Sequence, residues 1–595
     1  MEDTMVKVAT LKGGEFLIKE TDPQSVFIPE DMTEEQQMVL EMCRDFIKNE
    51  VLPVPQKIEN QVSLLDKAAE LGLLGSHIPE AYGGMEMDNN TNTIILGGLG
   101  AAGGSFTTSY AAHTGIGMLP ILYYGTEEQK LRYLPRLAAG ELKASYCLTE
   151  PGSGSDALAA KTRADLTEDG KHYILNGQKM WITNAGFSHV LIVFAQVGGD
   201  KFTGFVIDKD TEGITLGAEE DKMGIKGSST RQVFFENVKV PANAVLGEIG
   251  RGHLIAFNVL NVGRFKLGAL CAGGMKEAVT ESVKYASARV QFKQPIANFG
   301  AIQYKLAEQV IKTYALESAV LRVSNLMQEM RNDLKEEGFS YSESLLESAE
   351  EYAIECGLLK VLGSESLDYV VDEMVQIYGG NGFSEEYNAA TSYRDARINR
   401  IYEGTNEINR MLMVNMLLKR AMKGKINITD AAWAVQKELS SMPSFDTVEG
   451  DFAVEQKTIK NFKKVTLIVA GAAVKYQMEG KLDLRTEQEI LMNVADIMIQ
   501  LYAAESVLLR IQKLATLKST DEIATQIAIM SVVFNDANDA IGKFAKDALS
   551  SFAEGDELSI MLMGVKRFTK LAPVNVKNAR RQIAKELIAA NEYCF

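Results

Sequence analysis

The sequence has few cysteines, and their positions do not suggest disulfides. Five cysteines are scattered over 595 residues, and no two of them form a Cys-x-x-Cys pair. An odd number without paired spacing is not a disulfide framework and indicates a reducing compartment. Only 12 prolines and 49 glycines are present, which excludes collagen-like and low-complexity chains. We therefore expect a cytoplasmic protein.

The chain also lacks an excess of positive charge. It carries 62 Lys+Arg against 79 Asp+Glu, a formal net charge of −17. Nucleic-acid-binding proteins normally show a basic surface, so this class is not expected. Hydrophobic residues make up 46% and charged residues 24% of the chain. These are the proportions of a globular protein that can bury a large core.

Long hydrophobic runs are missing as well. The N-terminus, MEDTMVKVATLKGGEF, has neither an apolar signal core nor an Arg-rich transit pattern. The most apolar stretch, VTLIVAGAAV at 465–474, is too short for the ~20 residues that a membrane helix needs. We interpret it as a core helix and predict no transmembrane segment.

The spacing of apolar residues divides the chain into helical and β regions. We predict an α+β fold that is mostly α: an N-terminal helical domain at 1–143, a central antiparallel β domain at 144–247, a four-helix bundle at 248–425, an acidic linker at 426–456 and an extra C-terminal helical domain at 457–595. The β domain is indicated by short runs of β-branched and aromatic residues such as HVLIVFAQV and KFTGFVIDK. The linker is indicated by six acidic residues against one lysine.

Several common catalytic motifs are absent. The five histidines show no metal-ligand spacing, and no His-Glu-x-x-His, Gly-x-Ser-x-Gly or Walker A sequence occurs, so we predict no metal site. The segment 98–103, GLGAAG, matches the dinucleotide fingerprint Gly-x-Gly-x-x-Gly. Its surroundings lack the repeated strand–helix alternation of a doubly wound sheet. We favour small residues that let two helices pack closely.

Three segments could hold a planar, phosphate-bearing ligand, although each has a structural alternative. The loop YCLTEPGSGSD at 146–156 offers hydroxyls and backbone N–H groups to a pyrophosphate, or is a plain turn. In MWITNAG at 180–186, Trp181 offers a flat face beside the Thr183 hydroxyl, or is a half-buried core residue. In VQIYGGNGF at 375–383, glycines permit close approach of a ligand, or simply end a helix.

A fourth segment, DARINRIYEGTNEINR at 395–410, carries a candidate base. It places Glu403 beside Gly404, ahead of a helix that Thr405 opens. A carboxylate in a buried irregular turn is desolvated, which raises its pKa from ~4.3 and suits it to proton abstraction. The alternative is an acidic residue favoured by the dipole at a helix N-terminus.

Taken together, these motifs resemble the acyl-CoA dehydrogenase family. YCLTEPGSGSD, KMWITN, RVQF followed by QPI, QIYGGNGF and RIYEGTNEI occur in the family's order, within about residues 35–422. The helical tail and NVLNVGRF at 258–265 are most similar to the very-long-chain subgroup. The resemblance implies N-terminal helices, a central β domain and a four-helix bundle with FAD between them.

The resemblance also implies the residues of the site. The implied FAD-binding residues are Tyr146, Leu148, Thr149, Gly154, Ser155, Trp181, Ile182, Thr183, Arg289, Phe292, Gln376, Ile377, Gly379, Gly380, Thr405 and Glu407. The implied substrate-binding residues are Ser155, Arg264 and Gly404, and Glu403 is the implied catalytic base. In the family, residues corresponding to Arg289 and 376–380 reach across a subunit boundary, which implies a homodimer.

The implied activity is that of an FAD-dependent oxidoreductase of lipid metabolism. Glu403 would remove the α-proton of a fatty acyl-CoA while the β-hydride moves to the flavin, which gives a trans-2-enoyl-CoA in fatty acid β-oxidation. Electrons would then pass to an electron-transfer flavoprotein. The subgroup implies a long acyl chain, and we expect the floor of its pocket at 116–125, where Leu119, Ile121 and Leu122 line a pocket or pack in the core.

Three features depart from the family's pattern. Gly263 stands where some members carry the base, so Glu403 is the available motif carboxylate. Gly300 stands where many members have Gln. The stretch 426–455 is acidic, whereas membrane association in the subgroup is tied to a basic amphipathic segment, so we do not predict membrane binding. Two alternatives stay open: an acyl-CoA oxidase that uses oxygen directly, and a non-catalytic assembly protein of the same fold.

Overall fold

The computed structural model describes residues 10–439, 441 and 449–595. In these residues the chain forms helices, then a β-sheet, then helices again, which is the predicted order. The first helical region consists of α1 (Glu34–Phe46), α2 (Ile58–Glu70), α3 (Asn89–Leu99), α4 (Gly104–Ala111), α5 (Leu119–Tyr124) and α6 (Glu127–Ala138). Helix α1 begins where its sequence predicts, because Thr33 and Gln36 each accept a hydrogen bond from the other's backbone N–H at 3.2 Å.

The central sheet is formed by eight strands. They are β1 (Ala144–Cys147), β2 (Arg163–Leu166), β3 (His172–Thr183), β4 (Val190–Val197), β5 (Lys201–Asp208), β6 (Ile214–Glu219), β7 (Thr230–Pro241) and β8 (Val245–Leu246). Their order is β6-β7-β3-β2-β4-β5-β8, with β1 beside β4. Most pairs are antiparallel as predicted, but β1 and β2 both run parallel to β4. The sheet is therefore mixed, and residues 148–189 supply the long crossover that a parallel β1–β4 pair needs.

The predicted four-helix bundle is formed by four long helices. They are α7 (Gly252–Ala288), α8 (Gly300–Glu336), α10 (Ala353–Tyr378) and α12 (Asn406–Met422). Shorter elements connect them: β9 (Val290–Gln291), β10 (Gln294–Pro295), α9 (Tyr341–Glu351) and α11 (Asn388–Ala396). From the sequence, the most apolar stretch is expected at 465–474. Among the described residues, however, the helix that is long and apolar enough to cross a membrane is α7. Because 61% of its most apolar window is buried, α7 has the position of a core helix.

The predicted acidic linker contains a helix. Helix α13 (Ile428–Leu439) occupies its first half, and α14 (Ala453–Met478) begins within its last residues. The apolar residues Ile428, Val435 and Leu439 recur at helical spacing, and the count of acidic residues obscures this pattern. Residues 440 and 442–448 of this prediction, like residues 1–9, lie outside the described residues.

The C-terminal helices continue the core of the bundle. They are α15 (Gln488–Leu517), α16 (Ala524–Phe552), α17 (Gly555–Phe568) and α18 (Val576–Ala590). Helices α15 and α18 pack on α8, and α15 also packs on α12. One hydrophobic cluster extends from the N-terminal helices through the bundle into this region. The C-terminal helices are thus packed against the bundle along its length.

Candidate functional site

A cleft lies between the N-terminal helices, α7, α10 and α11. On α7 its lining residues recur every three or four positions, so that one face of the helix forms a wall. These residues are Gly263, Lys266, Leu267, Leu270, Cys271, Gly274, Glu277, Ala278 and Glu281. From Gly263 to Glu281 the helix advances by about 27 Å at 1.5 Å per residue. The cleft is therefore long, and its wall on α7 is largely apolar.

Glu403 lines this cleft at the end where Gly263 lies. Its backbone has a positive φ of 58°, a conformation that side chains rarely adopt. Its Oε2 atom is buried and has no hydrogen-bond partner among the described residues. Burial raises the pKa of Glu403 to about 7, while the charges of Arg264 and Lys360 oppose that rise. The carboxyl group is thus suited to act as a base near neutral pH.

Buried side chains hold the strained turn that carries Glu403. The ammonium group of Lys360 donates to the Gly404 carbonyl at 2.7 Å and to Oδ1 of Asn406 at 2.6 Å. The side-chain amide of Asn409 donates to the same Gly404 carbonyl at 2.8 Å. Strained backbone at functional sites persists only where neighbouring groups fix it in this way. Lys360 and Asn409 thus hold the turn that carries Glu403, and the motifs identify neither of them.

Arg264 approaches the same turn from α7, as predicted. Its Nε donates to the Glu403 carbonyl at 3.4 Å, and its Nη1 donates to Oδ1 of Asn261 at 2.7 Å. Thr405 caps α12, because its hydroxyl accepts from the backbone N–H of Ile408 at 3.3 Å. Glu403 therefore lies in a half-buried turn with its carboxyl group turned away from solvent, and it is not a helix N-terminal acid.

The Trp181 region lies beside the cleft because β3 is irregular there. The pairing of β3 with β7 shifts register between Lys179 and Ile182. Trp181 has a positive φ of 61° and its side chain is 53% exposed, whereas Ile182 is buried in the β core. Two residues from Trp181, Thr183 lines the same cleft as Glu403. A bulge thus leaves a flat ring exposed two residues from a hydroxyl group that lines the cleft.

The loop after β1 is shaped by Glu150. Its carboxylate accepts from the backbone N–H of Lys161 at 2.6 Å and of Thr162 at 3.0 Å, and it pairs with Lys179 Nζ at 2.7 Å. Burial alone would raise the pKa of Glu150, but Lys179 and these donors hold it below its ordinary value. The buried carboxylate therefore stays ionised and fixes the loop.

The predicted ligand residues of this loop differ in exposure. Gly154 and Ser155 are exposed, and Leu148 is buried. The Thr149 carbonyl accepts from the backbone N–H of Met180 at 2.9 Å, which ties the loop to the Trp181 bulge. The hydroxyl of Tyr146 is buried and has no hydrogen-bond partner among the described residues.

The structure does not bring the second half of the predicted cofactor residues to the cleft. Arg289 follows Gly263 by 26 residues along α7, which corresponds to about 39 Å. Phe292 is 88% exposed there, and Gln376, Gly379 and Gly380 are exposed. The side chain of Ile377 belongs to the hydrophobic core, and Glu407 is exposed in the first turn of α12.

The glycine-rich segment at 98–103 ends a helix and follows no strand. A β-carbon on Gly100 would lie 2.5 Å from the Leu270 carbonyl oxygen and 2.7 Å from the α-carbon of Gly273. The interpretation as close helix packing is therefore confirmed, and Gly100 also lines the cleft. Within 116–125, Ile116 lines the cleft.

Of the other residues of that segment, Leu119, Ile121 and Leu122 pack in a hydrophobic cluster, which is the core-packing alternative. Leu119 and Tyr123 also line a second, smaller cavity. Lys266 instead lines the cleft, and the motifs do not identify it. Its signal is a lysine flanked by apolar residues, in FKLGAL, and GLLKVLG marks Lys360 in the same way. Lysine is almost never buried without a reason.

Models of the acyl-CoA dehydrogenase domains match most of the chain. The N-terminal domain matches residues 33–141, the middle domain 145–238 and the C-terminal domain 250–418. A further model, also described as an acyl-CoA dehydrogenase C-terminal domain, matches 461–567.

Individual relatives support the same conclusion. The chain is 45% identical over 98% of both sequences to a probable acyl-CoA dehydrogenase of Bacillus subtilis. It is 38% identical to the human mitochondrial very long-chain specific acyl-CoA dehydrogenase, over 66% of this chain and 58% of that one. A crystal structure of an acyl-CoA dehydrogenase complexed with FAD from Bacillus anthracis superposes with a TM-score of 0.95 at 46% identity, over 98% of this chain and 100% of that chain. The chain therefore belongs to the acyl-CoA dehydrogenase family, as its motifs predict.

Proposed function

We propose that this protein is an FAD-dependent dehydrogenase of long-chain fatty acyl-CoA in β-oxidation, with Glu403 as the base. The observation that supports it most is the desolvated Glu403 carboxyl at one end of a long apolar cleft that Thr183 also lines. The B. anthracis relative is complexed with FAD, and several relatives are specific for very long chains.

The residues of the turn have distinct parts in the proposed reaction. The Glu403 carboxylate accepts the proton from the α-carbon of the thioester. Its own backbone N–H donates to the thioester carbonyl and stabilises the charge that develops there. Lys360 and Asn409 keep this N–H and carboxylate in place through the Gly404 carbonyl. The apolar walls exclude water, which keeps the carboxyl desolvated.

The residues beside the cleft fit FAD. The exposed ring of Trp181 offers a stacking face, Thr183 offers a hydroxyl, and the buried Tyr146 hydroxyl has no partner within the described chain. FAD, when bound, supplies the acceptor for the β-hydride. The exposed backbone at Gly154 and Ser155 is open to approach by phosphate groups.

A homodimer would account for the remaining predicted cofactor residues. Arg289 lies about 39 Å along α7 from Gly263, which contacts the base. The side chains of Phe292 and Phe383 are 88% and 89% exposed, which is unusual for large apolar residues. We propose that this end of one subunit completes the FAD site of a second copy. Light scattering of the FAD-bound protein at twice the mass of 65.3 kDa would support this, and a monomer that retains FAD would contradict it.

The length of the cleft supports a long acyl chain. An extended peptide advances at most about 3.3–3.6 Å over the three backbone bonds of a residue. On the same scale, an extended acyl chain advances about 1.1–1.2 Å per bond. A wall of about 27 Å on α7 therefore accommodates roughly 20 carbons.

The decisive experiment is anaerobic bleaching of the bound flavin by a series of acyl-CoAs from butyryl to stearoyl. We expect palmitoyl- and stearoyl-CoA to give higher kcat/KM than butyryl-CoA. Failure of every thioester to bleach the flavin would refute the proposal. Rapid reoxidation by air with release of peroxide would instead identify an acyl-CoA oxidase. The electron-transfer flavoprotein as acceptor and the cytoplasmic location stay predictions.

The reaction should depend on pH through the base. Burial raises the pKa of Glu403 to about 7, and only its ionised form accepts a proton. The rate of flavin bleaching should therefore fall about tenfold per pH unit below 7 and level off above it. Measurement under anaerobic stopped flow with a saturating long-chain substrate checks this. A rate that stays constant down to the ordinary glutamate range, near 4.5, would contradict a desolvated base.

Gly263→Ala should displace the base. A β-carbon at this position would lie 2.9 Å from Cδ of Glu403, so the carboxylate would have to move. A shift of about 1 Å at a reacting group can cost about 10²-fold in rate, and we expect a loss of this size in flavin bleaching. Gly274→Ala is the matched control on the same wall, since its β-carbon would lie 3.4 Å from the nearest atom. Equal effects of the two substitutions would contradict the placement of Glu403 against Gly263.

A further inference from the structure

A second, smaller cavity adjoins the cleft at Lys266. It is enclosed by residues of α3, α4, α5, α7, α8 and α9. Its polar lining residues are Ser76, His77, Asn89, Asn92, Tyr110, Tyr123 and Lys266. Of the described residues that line it, none is acidic, and two are basic. We call this cavity the basic pocket.

Lys266 lines both the cleft and the basic pocket. Its ammonium group donates to the Thr114 carbonyl at 3.2 Å. No carboxylate of residues 10–439, 441 and 449–595 forms an ion pair with it. Burial lowers the pKa of Lys266 to about 7. Because an ammonium group has three donors, this side chain has hydrogen bonds to give to a ligand.

Two further basic side chains near Lys266 carry buried nitrogen atoms that have no hydrogen-bond partner among the described residues. In the part of the chain that the structure describes, Nε2 of His77 is buried and unbonded, and so are Nε and Nη1 of Arg331. Arg331 is 1% exposed, and its guanidinium stacks at 4.7 Å on the ring of Tyr341. Burial lowers the pKa of His77, and the charges of Lys266 and Arg331 lower it further.

Such an arrangement is costly without a ligand. Buried polar groups in proteins nearly always have partners, and a buried charge is normally paired. Here Lys266 and His77 line one cavity whose described lining supplies no negative charge, and Arg331 lies one turn of α8 beyond the lining residue Met327. An anionic group entering the pocket would satisfy their free donors and offset the cost of their burial.

We propose that the basic pocket binds a carboxylate at the far end of an acyl chain, so that the enzyme also accepts CoA monothioesters of dicarboxylic acids. This rests on the proposed function, because the chain must lie in the cleft with its thioester beside Glu403. Lys266 forms the wall common to both cavities, so a chain extending from the cleft meets its ammonium group first. A carboxylate carries the complementary charge and accepts several hydrogen bonds.

The position of Lys266 also limits the chain length. It follows Gly263 by one turn of α7, whereas the cleft continues along about five turns. We therefore expect the best dicarboxylic chain to be shorter than the best simple fatty acyl chain.

The first test uses the wild-type FAD-bound protein and two series of thioester analogues. Sulfur in place of the β-carbon prevents dehydrogenation, so calorimetry measures binding alone. One series ends in methyl and the other in carboxylate, over matched lengths from the adipyl to the tetradecanedioyl skeleton. At one length or more, the carboxylate analogue should bind at least as tightly as its methyl counterpart. If the carboxylate weakens binding about 100-fold or more at every length, the pocket does not take it.

The second test compares Lys266→Met with Lys266→Arg. For each variant, the ratio of affinities for the carboxylate and methyl analogues is measured at the best length. Losing a hydrogen bond to a charged group should lower this ratio about 10- to 100-fold in Lys266→Met, while Lys266→Arg should largely keep it. An unchanged ratio in Lys266→Met would overturn the proposal.

Should Lys266→Met not fold, the same ratio of affinities is measured in His77→Gln. We expect the ratio to decrease in this variant, and an unchanged ratio would overturn the proposal. If neither series binds and no fatty acyl-CoA bleaches the flavin, the proposed function itself fails. If only the carboxylate series fails, the basic pocket proposal fails alone.

Discussion

Glu403→Gln should retain FAD and slow the bleaching of the flavin by acyl-CoA by about 10²–10⁴-fold, the range for loss of a general base. The amide has the same shape but cannot accept a proton. The substitution removes no ion pair, because Oε2 of Glu403 has no partner among the described residues and the turn is held through backbone carbonyls. Folding should therefore be little affected, and replacing a desolvated carboxyl by a neutral amide even removes a cost of burial.

The matched control removes the same charge elsewhere. Glu489 is exposed in the first turn of α15, so Glu489→Gln should keep the wild-type rate. Stopped-flow absorbance with both variants, at equal flavin content and above pH 7, separates the chemical effect from the effect of net charge. A Glu403→Gln protein that bleaches at the wild-type rate with flavin bound would show that another group is the base.

The motifs identify the base from sequence, but they do not identify what fixes it. Glu403 stands out because it precedes Gly404 in an irregular turn, directly ahead of a helix. Lys360 lies 43 residues earlier on a different helix, and its contact with the Gly404 carbonyl exists only once α10 and α12 pack. Local patterns cannot report a contact that tertiary packing creates. The informative local sign, a lysine flanked by apolar residues within a helix, occurs at Lys266 as well.

The sheet and the linker show the same limit at the level of the fold. Short β-branched runs locate the strands, but the parallel pairing of β1 and β2 with β4 depends on the path of the intervening chain. The exposure of Trp181 follows from a register shift between β3 and β7, which no single strand encodes. In the predicted linker, the number of acidic residues hides the helical spacing of the apolar residues, and α13 forms on that spacing.

Motif order also says nothing about distance within one chain. Trp181 and Arg289 belong to the same predicted cofactor set, yet α7 carries Arg289 about 39 Å beyond Gly263. The length of a continuous helix, rather than any motif, separates the set into two groups. This separation is the physical reason for expecting a second subunit at the site.

Glu505→Gln is expected to give the largest loss of stability. Glu505 on α15 is 4% exposed; it accepts from Arg322 Nη2 on α8 at 2.9 Å and pairs with Lys463 Nζ on α14 at 2.5 Å. The guanidinium of Arg322 also lies 4.4 Å from the ring centroid of Tyr502. The substitution leaves two buried cations without their carboxylate. Breaking a buried pair in this way costs about 3–5 kcal/mol in the free energy of unfolding.

An exposed pair provides the control. Glu557 pairs with Lys475 at 2.6 Å, and their side chains are 43% and 50% exposed. Glu557→Gln should change the free energy of unfolding by less than about 1 kcal/mol, because solvent screens such a pair. Denaturant unfolding of both variants at one fixed FAD concentration makes the comparison, since a ligand that binds the folded state shifts the midpoint. Similar losses in the two variants would show that burial does not decide the strength of these pairs.

The position of Glu505 connects this stability to the site. Arg322 belongs to the bundle, whereas Glu505 and Lys463 belong to the C-terminal helices, so the cluster joins the two regions. A second such link reaches α12: Arg410 donates from Nε to Asp496 on α15 at 2.7 Å and from its terminal nitrogens to Glu365 on α10. Helix α12 begins three residues after Glu403.

If the C-terminal helices support the base in this way, Glu505→Gln should lose flavin bleaching at the denaturant concentration where it unfolds. This concentration should be well below the one at which the Glu557→Gln control loses bleaching. Bleaching that persists beyond that midpoint would mean that the turn at Glu403 is stable without them.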